Sequence, residues 1–515
     1  MSALLPALMT CSALALALAP VSAQGETCLE LSRRPDSLLW AGAEAARRSL
    51  DPGCALDMSR ALLLRARDRR AEERAWLELG KSWLLAGEAT IALRYADALL
   101  RRDADSEPGL ALRIRALLRL GRSREALRVA ENGLDFAREQ SFELRSAYAS
   151  ALYRNQRMRE AQRSYRALLR ERPQDSEALI RLGSGLLPAG PAPIHRDLRV
   201  AIEQVRDGLT SVAERSLLRI IHKQPTHPVP LRLLGELALR AERLRSPLLQ
   251  QGLGDRLWAR LAPAQRPSAR VRAFLPAIDK VSEARRVVLE RAGYYFEPWL
   301  GDLALRGAGH DILLEDERST DARARRFLRG KRTFDGRLWD DVRGMGGLVA
   351  ATGVEALDES RELGFDTLIH ELAHQVHLYA MSRAERMQVT LLYRQARSRG
   401  RWLDKYSASH ETEYFAQACE AFFSFAKCAG QPKTHGHTRF ELARVDPAMH
   451  SFLDGLFVRD PLKGPQRRHL LNLALQAALL TGHCEDARDI GRMLGRSRAP
   501  RKSKLLRLEQ RYRSL

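Results

Sequence analysis

The chain is short of the residues that most often announce a function. Aromatic side chains make up 6% of its 515 residues, and none of its 6 cysteines has the spacing of a zinc cluster, which disfavours a cysteine-ligated metal. Acidic groups are outnumbered, 63 Asp and Glu against 85 Lys and Arg, for a formal charge of +22. The excess comes mostly from arginines scattered between Leu and Ala, without lysine-rich blocks or Arg-Gly repeats. That pattern describes the solvated faces of helices, with a remaining preference for acidic partners or an anionic envelope surface. The basic end Arg496 to Arg513 contains one aromatic, Tyr512, so it lacks the rings that stack on bases and reads as a helical or disordered cap, not a nucleic-acid module.

Charge is absent altogether from Met1 to Ala23, where Leu and Ala alternate before Pro20-Val21-Ser22-Ala23. Val21 and Ala23 stand where a signal peptidase requires small residues, so cleavage before Gln24 is expected, although the segment has no basic start. Leu8-Met9-Thr10-Cys11 is a poor lipoprotein box because Thr10 is too large. No later segment has the length and apolarity of a membrane span. The mature protein is thus expected to be soluble and exported, periplasmic or secreted. Of its five remaining cysteines, Cys28 with Cys54 is the first expected disulfide and Cys419 with Cys428 the second, leaving Cys484.

From Ala71 to about Leu257 the sequence repeats every 34 residues: Gly87 and Ala92 are followed by Gly121 and Ala126 in the same register. The register continues through Ala161, Tyr165, Leu168 and Pro173 to Leu179, Leu182 and Gly183. It is interrupted at Pro188 to Pro193, then resumes at Ala213, Ile220, Pro225, Leu231, Leu234 and Gly235. Small residues let two helices approach and Pro ends each hairpin, so about five stacked hairpins are expected, with Ser37 to Arg67 as a degenerate cap. These positions, with Trp76, Leu79, Gly80 and Trp83 opening the first clear copy, resemble the tetratricopeptide repeat. A generic helical bundle is the plainer alternative. Pro263, Pro267 and Pro276 mark a boundary after which the register is lost.

The second half holds the chemistry. His370-Glu371-Leu372-Ala373-His374 lies in an apolar-periodic run, approximately Arg361 to Tyr379, and four-residue spacing on a helix brings both imidazoles to one face. Two histidines so placed can share a zinc ion, and Glu371 can reach a water on the open position as general base. His377 is nearly in line, but two helical turns span about 10.5 Å, too far for one ion to use both ends. A metzincin would need a histidine where Ala380 stands. The third ligand is better sought on a second helix after Tyr406, where Glu413 falls near the start; Glu411 and Glu420 are fallback ligands. Tyr294 to Ile312 reads as short strands, and Gly344 to Thr352 as a Gly-rich turn entering a strand. Leu348 to Thr352 is either an edge strand holding extended substrate or a plain core strand.

Tyr406, Glu413 and the run Tyr414-Phe415-Ala416-Gln417-Ala418-Cys419, together with His370 to Val376, resemble the anthrax lethal factor metallopeptidase domain and its bacterial relatives. The resemblance covers at most Ala273 to Leu456. It implies zinc ligands His370, His374 and Glu413, the general base Glu371, and Tyr406 as donor to the oxyanion. Two positions depart from the family: Gln417 stands in place of an acidic residue and His377 in place of an Asp. Both losses bear on how the ligand histidines are oriented.

The expected architecture is mainly α: signal peptide 1–23, tetratricopeptide-like α-solenoid 24–260, linker 261–276, α+β zincin-type metallopeptidase domain 277–460, and a C-terminal helical hairpin with a basic tail, 461–515. The expected function is that of an exported zinc endopeptidase, with the repeats recruiting a protein substrate or partner. The alternatives are a cell-envelope assembly scaffold carrying an inactive zincin domain, and an amidase acting on cell-wall peptide.

Overall fold

The computed structural model describes residues 35–136, 141–183, 196–261, 266–333, 337–404, 406–428, 436–481 and 483–495. The expected signal segment, Cys28, the Pro-rich interruption at 188–193 and the basic tail lie outside them. The described residues are mainly helical, with one small sheet. No helix among them is long and apolar enough to cross a membrane.

Among the described residues as far as 206 there are ten helices: α1 (Asp36–Arg48), α2 (Pro52–Arg65), α3 (Arg69–Leu85), α4 (Ala89–Arg102), α5 (Glu107–Arg119), α6 (Ser123–Phe136), α7 (Phe142–Arg154), α8 (Met158–Glu171), α9 (Ser176–Arg181) and α10 (Arg196–Arg206). Two more, α11 (Thr210–Lys223) and α12 (Pro228–Leu244), complete this half. Each of α3 to α8 packs on the next. The turns explain the sequence register: Gly87 and Gly121 adopt left-handed φ values of 87° and 71° that only glycine takes without strain. Ala92, Ala126, Ala161 and Ala213 are fully buried where paired helices approach. Close approach also explains Gly183, where a Cβ would lie 2.4 Å from the Arg232 backbone nitrogen as α9 crosses α12.

The following helices, α13 (Pro247–Gln250), α14 (Leu253–Leu261) and α15 (Ala269–Phe274), are not free connecting chain. Leu257, Trp258, Val271 and Phe274 enter a core that runs on to Ile490. α16 (Glu283–Leu305) occupies most of the stretch read as short strands. Its Tyr295 stacks on Phe423 at 4.2 Å and Phe296 meets Phe457 edge-on at 5.4 Å, so burial of one aromatic face overrides β propensity. Only β1 (Gly309–Leu313) is extended there. With β2 (Gly344–Met345) and β3 (Val349–Gly353) it forms a sheet in the order β1-β3-β2, β1 parallel and β2 antiparallel to β3. β3 is therefore central, paired along its length with β1 and at Ala351 and Thr352 with β2; β1 and β2 are the two edges.

The run expected as one helix from Arg361 to Tyr379 is broken. α17 (Val354–Arg361) ends before Leu363, whose φ is 59°, and Asp366 caps a new helix, α18 (Thr367–Gln375), by accepting from Ile369 N at 3.1 Å. A π-helical turn, Val376–Ala380, closes it. α19 (Arg383–Arg399) leads to the Tyr406 loop and α20 (Glu411–Phe422), followed by α21 (Arg439–Val445), α22 (Pro447–Leu456), α23 (Arg467–Leu480) and α24 (Cys484–Met493). Leu470, Leu471 and Ile490 of the last pair belong to the same core as the site helix.

The expected Cys419–Cys428 disulfide does not form. Both are free and buried, and Cys428 Sγ instead contacts Glu362 O at 3.2 Å. Cys54 is disulfide-bonded to a partner outside the described side chains.

Candidate metal centre

α18 and α20 cross so that three donor atoms converge. His370 Nε2 lies 3.1 Å from His374 Nε2 and 3.2 Å from Glu413 Oε2, and His374 Nε2 lies 3.3 Å from the same oxygen. Helical spacing supplies the histidine pair, stacked edge-on with ring centroids 4.7 Å apart. Glu413 comes from the first turn of α20, whose N-cap is His410. Glu411 and Glu420 are not at this point. Glu420 is buried elsewhere, accepting from Asp366 N at 3.4 Å, and burial raises its carboxyl to about 8.

The donor set fits zinc. Bonds of about 2.0–2.1 Å in a tetrahedral site separate neighbouring ligand atoms by about 3.3 Å, close to all three edges seen here, and a two-nitrogen, one-oxygen set with no cysteine leaves a fourth position open. Burial opposes ionisation of Glu413, but hydrogen bonding to His370 and His374 overcomes this and holds its carboxyl well below the usual range.

Glu371 follows His370 and is buried. Burial, joined by the Glu413 charge, raises its carboxyl to about 7 against the opposing charges of His374 and Arg337. Its Oε2 has no hydrogen-bond partner among the described residues. The chain just past β2 runs over it: a Cβ on Gly346 would lie 3.2 Å from Glu371 Oε2 and 3.2 Å from His374 Cδ2. Tyr406 approaches from the other side, its ring centroid 6.4 Å from that of His370. Burial and the charges of Glu413 and Glu371 push its phenol up, so the hydroxyl keeps its proton.

Several positioning groups went unnoticed in the sequence. Gln375 Nε2 donates to Gly309 O and Leu348 O, each at 3.0 Å, tying α18 to the strand ends. Its Oε1 meets His310 Nδ1 at 3.0 Å, and His310 Nε2 meets Thr352 Oγ1 at 2.9 Å. Asp404 holds the Tyr406 loop by accepting from Ser407 N at 2.8 Å, and it faces His437 Nε2 at 3.3 Å, while His437 Nδ1 lies 2.9 Å from Glu441 Oε2. Arg337 acts on both Glu371 and Tyr406. Gln375 directly follows His374, but His310, Thr352, Asp404, His437 and Arg337 share no short motif with the histidine pair, and the fold brings them near it.

The two positions that depart from the family resemblance are both buried. His377 lies in the π turn with its ring 5.0 Å from that of Phe415, outside the donor triangle. Gln417 has neither amide atom hydrogen-bonded among the described residues. No protein-family model and no curated protein sequence matches this chain.

Proposed function

We propose that the chain is an exported, zinc-dependent endopeptidase whose α-solenoid of tetratricopeptide-like hairpins recruits a protein substrate or partner to a zincin-type domain. The observation that supports this most directly is the donor triangle His370, His374 and Glu413 with Glu371 beside it, an arrangement suited to a hydrolytic zinc site. These three residues would hold the metal, which when bound supplies Lewis-acid polarisation and a more acidic water. Glu371 takes the proton of the attacking water and returns it to the leaving amine nitrogen. The Tyr406 hydroxyl donates to the oxyanion that develops on the substrate carbonyl. Main-chain groups of β2, an edge strand beside the site, would align an extended peptide.

A scaffold carrying an inactive zincin domain is the second reading, favoured by the unpartnered Gln417 amide. The two separate in one experiment. Purified chain should carry close to one zinc per molecule and cleave a denatured-protein substrate, with Glu371→Gln keeping the zinc and losing the cleavage. Zinc absent from the wild-type protein sinks the enzymatic reading; zinc present without cleavage supports the scaffold.

A further inference from the structure

Tyr406 stands in the loop between α19 and α20, and many of the bonds that shape this loop are local. Asp404 Oδ1 accepts from Ser407 N at 2.8 Å, and Asp404 O accepts from Ser407 Oγ at 2.8 Å. Tyr406 O accepts from Ser409 Oγ at 2.6 Å and from Ser409 N at 3.0 Å. Side-chain-to-backbone bonds of this kind set the shape of a turn, not where the turn sits on its neighbours. Position comes from contacts made from outside the loop. Tyr393 of α19 donates its hydroxyl to Ala408 O at 2.9 Å, and His437 reaches Asp404 from the start of α21.

His437 bridges two carboxylates. Its Nε2 lies 3.3 Å from Asp404 Oδ2 and its Nδ1 lies 2.9 Å from Glu441 Oε2. With an acceptor facing each ring nitrogen, the ring serves both only as an imidazolium, which carries a proton on each. The side chains of His437 and Asp404 are 9% and 8% exposed, so water competes little for this pairing. Glu441 is itself fixed, in the first turn of α21, where its N–H donates to Thr438 Oγ1 at 3.2 Å and Lys427 Nζ lies 3.7 Å from its Oε2. The bridge therefore runs from an anchored helix end to a carboxylate two residues before Tyr406. His437 and Glu441 lie outside the donor triangle, so they bear on the site through this loop and not as ligands. Buried ion pairs hold a fixed orientation more firmly than they add net stability.

We propose that His437 is a positioning residue for cleavage: by bridging Asp404 and Glu441 it holds the Tyr406 hydroxyl where the substrate oxyanion develops. The inference rests on the zinc-peptidase function proposed above and on the oxyanion role given there to Tyr406. A misplacement of about 1 Å in such a group can cost about 10²-fold in rate, and the loop keeps its Tyr393 contact when His437 is lost, so a smaller penalty is expected.

The test is a double-mutant cycle on the full chain, with kcat, KM and zinc content measured for wild type, His437→Gln, Tyr406→Phe and the double variant. His437→Gln should lower kcat about tenfold while KM and zinc content stay within about twofold of wild type. In the Tyr406→Phe background the hydroxyl is already gone, and the same change should cost less than about twofold. A merely structural loss would lower kcat equally in both backgrounds. Asp404→Asn keeps an oxygen for Ser407 N but removes the charge that faces His437; it should give the same pattern, and it carries the test if His437→Gln does not fold. An equal loss in both backgrounds, loss of zinc from His437→Gln, or a wild-type rate in His437→Gln overturns the role of His437 and leaves the peptidase function standing. A wild-type chain that holds no zinc or cleaves nothing overturns that function and this inference together.

Discussion

At the scale of single residues, the proposed function assigns some groups of the site to holding a metal and others to moving protons. Glu413 closes the donor triangle at 3.2 and 3.3 Å from the two histidine nitrogens, whereas Glu371 keeps one buried oxygen without a partner among the described residues. Glu413→Ala should therefore lose zinc and cleavage together, measured by metal analysis of the dialysed protein, while Glu371→Gln loses only cleavage. Tyr406 makes a different prediction. A phenol held protonated beside the site stabilises charge that exists only in the transition state, so Tyr406→Phe should lower kcat by about 10²–10³ with little change in KM or zinc content. A large KM effect instead would place Tyr406 in substrate binding. His437 gives a prediction about stability. Burial works against its protonation, but Glu441 and Asp404 outweigh that and raise the imidazole from 6.5 to about 9. A raised folded value contributes stability that is complete below pH about 6.5 and is lost as pH rises through about 9. The stability advantage of wild type over His437→Gln, from denaturant midpoints, should shrink between pH 6.5 and 10. An advantage that grew with pH would contradict this pairing.

Elements matter because the site is a crossing of two helices under a strand. The turn after β2 passes so close to α18 that a Cβ added at Gly346 would lie 3.2 Å from Glu371 Oε2 and His374 Cδ2, so these side chains would have to give by a few tenths of an ångström. Gly346→Ala should thus reduce cleavage at least tenfold while the thermal midpoint moves little, since the displaced groups are polar and reactive, not core. An unchanged rate would show that the strand gives way instead. The histidine pair could be read from the sequence because helical spacing fixes which side chains share a face, whereas Glu413, on a second helix, was set ahead of Glu411 and Glu420 by its position near the helix start and by the family resemblance. The 34-residue spacing of Gly87, Gly121, Ala92 and Ala126 was visible for a similar reason, each residue answering a local turn or approach. What stayed hidden depended on long-range pairing. The centrality of β3 required knowing that β1 and β2 flank it, and the helicity of Tyr294 to Leu305 required the aromatic partners Phe423 and Phe457. The helix break before the site turned on a left-handed Leu363, a residue type that does not advertise such a conformation.

For the whole molecule, the question is whether the repeat half is tethered or fused to the site half. The segment expected as linker contributes Val271 and Phe274 to the core of the site half, and α12 reaches across to Glu362, the residue that ends α17. Arg240 Nε lies 2.7 Å and Arg243 Nε 2.9 Å from the two carboxylate oxygens of Glu362, whose side chain is 7% exposed. Arg206 and Arg285 meet Glu315 at 2.8 and 3.2 Å. Buried charges of this kind are costly to leave unmatched, so they hold a fixed orientation more firmly than they add net stability. Glu362→Gln removes the hydrogen-bonded carboxylate of Arg243, 11% exposed, and leaves it the Glu359 charge alone, while Arg240, 45% exposed, keeps Asp358 at 3.8 Å and can turn to water. The cost should be about 3 kcal/mol, the low end for breaking a buried pair. Because Glu362 lies just before the site helix and its carbonyl also receives Cys428, the variant should loosen both halves at once, lowering one shared thermal transition read by helix content and by aromatic signal. Two separated transitions in the wild type would mean that the halves fold independently and that recruitment by the repeats acts through proximity alone. A single lowered transition would mean that a partner bound on the repeats is presented to the site in one orientation.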